Sequence, residues 1–155
     1  MGKDKSDSLQ KAKNYAFLLL KFRQRSTKEI VLRLKQKQFE DSVIKETIAF
    51  LKDHAFIDDA AFARAWIDSR LKKPLGIRRI KEELRIKGID NNIIDSSISQ
   101  IRRDYSEEEV ISRIAADKFS RLKGIEPQKA KRRIFSYLLR RGFSPDVISD
   151  TLTQL

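Results

Sequence analysis

The side chains that usually carry chemistry are few and scattered in this chain. It has one histidine, His54, no cysteine, and five glycines at positions 2, 76, 88, 124 and 142. Without thiols, disulfides, thiolate nucleophiles and cysteine-based zinc sites are excluded, and the lack fits a reducing, cytoplasmic setting. The glycines stand too far apart for a P-loop or a dinucleotide fingerprint, which need several in one turn so that backbone N–H groups can close on phosphate. A lone histidine reads as a surface or capping group. Carboxylates gather at Asp58-Asp59, Glu82-Glu83 and Glu107-Glu108-Glu109. At helix starts and on helix faces such acids answer the helix dipole, and nothing spaces them as the ligands of a Mg²⁺-dependent nuclease. No catalytic residue, cofactor or metal ligand is assigned, and no enzyme is expected.

The basic residues are a different matter. Lys and Arg number 34 against 22 Asp and Glu, a net charge of +12, which draws the chain to polyanions. On a helix starting near Gly76, Arg78, Lys81 and Arg85 fall on one side, and Arg79 and Lys87 join them as candidates. On a helix starting near Pro127, Lys129, Arg133 and Arg140 share a face, with Arg132 and Arg141 close by. Earlier in the chain Lys28 pairs with Lys35, and Arg33 with Lys37. Any one of these is ordinary solvated surface. Together they matter, because equivalent helices carry the same excess, and a row of such faces can follow a phosphate backbone.

The equivalence comes from an internal repeat. Shifting Ile30, Leu34, Phe39, Val43, Ile44, Ile48 and Leu51 by 50 residues lands on Ile80, Leu84, Ile89, Ile93, Ile94, Ile98 and Ile101. A further 54 residues reach Ile134, Leu138, Phe143, Val147, Ile148, Leu152 and Leu155, and Gly88 meets Gly142. Each copy reads as helix, tight turn, helix: an i, i+4 apolar stripe, a basic residue, glycine in a left-handed turn, then a bulky plug. Gln38 stands where the other copies have glycine, so the first turn should be strained or differently closed. Another helical stretch precedes each pair: Leu9 to Phe22, Asp59 to Leu71 and Glu107 to Leu122. Ser26 with Glu29, and Ser106 with Glu109, have capping-box spacing.

The sum is an all-α chain, a tandem array of three three-helix units resembling helix-turn-helix repeats. The units run over 1–57, with a short polar N-terminal tail, 58–104 and 105–155. An elongated or curved row is expected, since units of this size lean on their neighbours. The longest apolar run, Tyr15 to Leu20, is far short of the roughly 20 residues of a membrane span. The chain should be soluble and monomeric. The helix after each turn is a poor reader of bases: Ile93, Ile94 and Ile98 fill it, and its polar positions hold Asn, Asp and Ser. Contact with a backbone or an acidic protein groove fits the charge better than base readout. Phe62 and Trp66 read as core, while part of Phe17-Leu18-Leu19-Leu20 should face a neighbour or a partner.

Several of these strings resemble the RecX family. They are Leu20-Lys-Phe-Arg-Gln-Arg-Ser-Thr-Lys-Glu-Ile30, Ile57-Asp-Asp-Ala-Ala-Phe-Ala-Arg-Ala-Trp66, Gly76-Ile-Arg-Arg-Ile-Lys-Glu-Glu-Leu-Arg-Ile-Lys-Gly-Ile89 and Leu138-Leu-Arg-Arg-Gly-Phe-Ser144. The resemblance implies a regulator of the RecA recombinase that lodges on a RecA filament formed on single-stranded DNA. There it would lower recombinase, ATPase and co-protease activity, touching DNA repair and the SOS response. The alternative from charge alone is a general nucleic-acid-binding helical protein without a recombinase role.

Overall fold

The computed structural model describes residues 2–101 and 104–155, the side chain of Lys3 excepted. Met1, in the expected tail, and Arg102 and Arg103, at the end of the expected second unit, lie outside the described residues. Nine helices follow one another among the described residues: α1 (Gly2–Phe22), α2 (Thr27–Gln36), α3 (Asp41–Asp53), α4 (Asp59–Leu71), α5 (Ile77–Ile86), α6 (Asn91–Ile101), α7 (Glu107–Arg121), α8 (Pro127–Arg140) and α9 (Pro145–Thr153). No strand occurs among those residues.

The helices gather into two compact units, residues 1–65 with 84–94 and residues 66–83 with 95–155. In the first, Ala12, Ala16 and Leu19 of α1, Ile30 and Leu34 of α2, and Val43, Ile44 and Leu51 of α3 close one core. The i, i+4 stripe of α2 is its centre, since Ile30 and Leu34 are both wholly buried. α2 starts where it does because of a complete capping box: the Ser26 hydroxyl accepts the Glu29 N–H, and the Glu29 carboxylate accepts the Ser26 N–H. In the second unit Ile111 and Ala115 of α7, Ile134 and Leu138 of α8, Phe143, and Ile148 and Leu152 of α9 form the equivalent core. At α7 only half of the expected box is present, Ser106 accepting from the Glu109 N–H.

The three turns close in the same way. Phe39 N–H donates to the Leu34 carbonyl, Ile89 N–H to that of Leu84 and Phe143 N–H to that of Leu138. Gly88 and Gly142 sit at φ +80° and +90°, and Gln38 adopts φ +64°. Gln38 therefore holds the left-handed conformation despite its Cβ, at a cost of roughly 1–2 kcal/mol. Ile89 and Phe143 are buried plugs, whereas Phe39 is only half-buried.

Two expectations shift and a third becomes specific. α1 begins at Gly2, ahead of Leu9, so the polar start is helical; Lys5 reaches Glu46 of α3 at 3.0 Å, an anchor that periodicity cannot report. Of the apolar run in α1, Leu19 is buried and Leu18 exposed, with Phe17 and Leu20 between. Phe62 is core, while Trp66 is half-buried under the Arg70 guanidinium. His54 caps α3, its Nδ1 2.9 Å from the Phe50 carbonyl and its ring against that of Phe50.

Candidate binding surface

Two joints with the same chemistry recur one repeat apart, and they decide which cations are available to a partner. In the first compact unit, the Ser26 hydroxyl donates to the Lys87 carbonyl at 2.7 Å. The Thr27 N–H, at the start of α2, donates to Asp59 Oδ1 at 2.8 Å. Lys28 Nζ donates to the Ile86 carbonyl at 3.4 Å, and its stem lies where a Cβ on Gly88 would be. In the second unit, the Gly76 N–H donates to the Arg141 carbonyl at 2.9 Å. The Ile77 N–H, at the start of α5, donates to Glu107 Oε1 at 2.8 Å. Arg141 Nε donates to the Pro74 carbonyl at 3.0 Å, and a Cβ on Gly142 would strike Arg79. Each joint uses the orphan N–H groups that open a helix and meets them with a carboxylate from the next repeat. Asp59 and Glu107 thus have a task beyond the dipole of their own helices.

Two titratable groups sit at these joints. The Tyr105 hydroxyl is pushed up to about 12 by burial and by Glu107, and it donates to the Leu75 carbonyl at 3.5 Å. Glu29 gathers Arg23, Arg25 at 3.9 Å and Lys87 at 3.7 Å. Burial pushes its carboxyl up, but the Arg23 hydrogen bond, the Ser26 N–H and Lys87 outweigh burial and hold it below the ordinary value. A carboxylate depressed on folding stabilises above its unfolded pKa, and that stability is lost as pH falls through the folded pKa. Glu29→Gln should therefore cost roughly 1 kcal/mol at pH 7, with the gap to wild type narrowing in acid. Urea titrations at pH 7 and pH 3 check this; an equal gap at both would refute it.

The predicted cations now separate. Lys28, Arg79, Lys87 and Arg141 belong to the joints, Arg79 also reaching Glu83 at 3.8 Å. Lys81 lies 3.6 Å from Asp95, Arg85 donates to Asn91 Oδ1, and Lys37 lies over the Tyr15 ring at 5.3 Å. Arg33, Lys35 and Arg78 are exposed. Lys129, Arg132, Arg133 and Arg140 share a cleft with Lys118 and Arg121 of α7, two cations that sequence reasoning does not single out. A helical wheel of α8 gives its own face but not which neighbour faces it, so no signal in the sequence could have added them.

Fold and surface together define an all-α, tandem helical-repeat protein. Profiles of the RecX first, second and third three-helix domains match residues 12–51, 58–98 and 106–152. The regulatory protein RecX of Chlorobium phaeobacteroides is 36% identical over 147 residues, covering 94% of each chain. That of Clostridium acetobutylicum is 32% identical over 152 residues, covering 96% of this chain and 71% of the relative. The crystal structure of RecX from Lactobacillus salivarius superposes with a TM-score of 0.86 at 25% identity, covering 97% of each chain. The chain belongs to the RecX family. No helix among the described residues is long and apolar enough to cross a membrane.

Proposed function

We propose that this protein regulates a RecA recombinase by binding its filament on single-stranded DNA. It limits filament growth or promotes disassembly, and so lowers recombinase, ATPase and co-protease activity, with consequences for DNA repair and the SOS response. It acts as a cytoplasmic monomer, without cofactor or reaction of its own. The three units over 1–57, 58–104 and 105–155 are part of this reading. Family membership carries it. The exposed Arg33, Lys35 and Arg78, on the helices before two of the turns, support it as contacts for an anionic groove.

The test is a titration of RecA ATP hydrolysis on single-stranded DNA. Substoichiometric protein should lower the rate at moderate salt, and no inhibition over a wide concentration range would overturn the proposal. Arg33→Glu with Lys35→Glu and Arg78→Glu should raise the inhibitory concentration about tenfold with helicity unchanged, the loss of about one charged contact. The second reading, a general nucleic-acid binder, rests on the net charge of +12. It requires tight binding to naked DNA that persists without RecA and falls steeply with salt.

A further inference from the structure

The cleft between α7 and α8 lies wholly inside the second compact unit and has a volume of about 550 Å³. That is within the roughly 300–1,000 Å³ of small-ligand sites. Lys129, Arg132, Arg133, Ser136, Tyr137 and Arg140 line it at i, i+3, i+4, i+7, i+8 and i+11, a single face of α8. Lys118 and Arg121 face them from α7. No carboxylate lines the cleft. Arg121 meets Asp117 at 3.3 Å on the open rim. Among the described residues, the other five cations have no acid within ion-pair reach. Elsewhere Glu29, Glu83 and Asp95 each hold cations. Like charges repel, and one-signed walls focus the field inside a cleft. An anion from outside relieves that repulsion.

Charge density narrows the choice of anion. Lys129, Arg132 and Arg133 fall within about 6 Å of rise along α8, with two cations opposite. Over that rise a single nucleic-acid strand, at one charge per about 3.4 Å, brings about two phosphates to face five cations. A polyphosphate concentrates more charge in the same length. The inner wall is apolar, made by Leu122, Ile134 and the ring of Tyr137, so the cleft offers a surface for a base or sugar beside the cations. Lys118 Nζ lies 3.7 Å from the centre of that ring. Moving this ammonium onto a phosphate uncovers the ring face for a base.

We propose that the α7–α8 cleft binds a nucleoside di- or triphosphate, its phosphates among Lys118, Lys129, Arg132 and Arg133 and its nucleoside against Leu122 and Tyr137. The ligand is held intact, because the cleft holds no carboxylate or histidine to take a proton from attacking water. The site needs no recombinase, so it stands or falls separately from the regulatory reading.

The experiment is calorimetric titration of the full chain with ATP and ADP, without RecA. Both should saturate one site per chain, and inorganic tripolyphosphate should bind at least about tenfold more weakly because it leaves the apolar wall unfilled. Arg132→Gln with Arg133→Gln should weaken ATP binding by at least about tenfold with helicity unchanged. Lys45→Gln with Lys52→Gln, exposed on α3, should leave it as it was. No saturation at millimolar ATP overturns the proposal, as does unchanged binding in the Arg132/Arg133 variant. Equal affinity for tripolyphosphate overturns the nucleoside contact. Displacement of ATP by an oligothymidylate at lower phosphate concentration reassigns the cleft to a strand.

Discussion

Gly142→Ala should destabilise the protein by on the order of 3 kcal/mol, more than an exposed turn residue normally can. Two effects add. At φ +90° an added Cβ costs about 1–2 kcal/mol in backbone conformation alone. It would also strike the backbone and Cβ of Arg79 in the second joint, and overpacking of that kind costs about 1–3 kcal/mol. Gly124 separates the two. It has φ +89° with nothing near its Cβ position, so Gly124→Ala should show the conformational cost without the collision. Gln38→Gly is the reverse case: relief of the left-handed strain, less the entropy of glycine, should stabilise by about 0.5–1 kcal/mol. Chemical denaturation of the three variants decides the matter. Equal losses for Gly142→Ala and Gly124→Ala would mean that the joint is not closely packed.

Glu107→Ala should cost about 1–3 kcal/mol, the range for leaving a buried donor without its acceptor. The donor is the Ile77 N–H, on a residue only 7% exposed, and the carboxylate meets it at 2.8 Å. Glu107→Gln keeps an acceptor and loses the charge, so it should cost less than half as much. Glu108, exposed in the same first turn, serves as the control, and Glu108→Ala should stay within about 0.5 kcal/mol of wild type. Equal stability for the Glu107 and Glu108 alanine variants would show that the second joint does not depend on the carboxylate.

These joints mark the limit of what the sequence makes legible. The helices, the buried stripes Ile30/Leu34 and Ile134/Leu138, the cap at Ser26 and the plugs Ile89 and Phe143 are legible, because each depends on residues a few positions apart. The family is legible from strings of the same local kind. Thr27 and Asp59 are 32 residues apart, and Pro74 and Arg141 are 67 apart. Periodicity records which side of a helix is buried, not which helix lies against it. In the sequence Lys28 and Arg141 therefore look as free as Arg78, though both are tied to carbonyls. The same blindness hides Lys118 and Arg121. Gln38 stands out in the sequence as an oddity, but its tolerance comes from its surroundings. Gly88 and Gly142 each have a side chain pressed against them, whereas Gln38 is exposed.

Because each joint ties a helix-opening N–H to a carboxylate of the next repeat and meets the carbonyl of a basic residue in the next turn, the chain carries a segment that can be copied in frame. Duplicating residues 27–76 would place a second Thr27 directly after Gly76, giving each new helix start an Asp59 and each new turn a basic residue's carbonyl. The inserted copy would need one edit, Gln38→Gly, since its turn would now be pressed by a Lys28. The third repeat offers no such splice point. At the position matching Ser26 and Gly76 stands Ala130, whose N–H is already spent on the carbonyl of Glu126, the N-cap of α8. The length of the array is thus open to change from within and closed at α8 by one extra turn of helix.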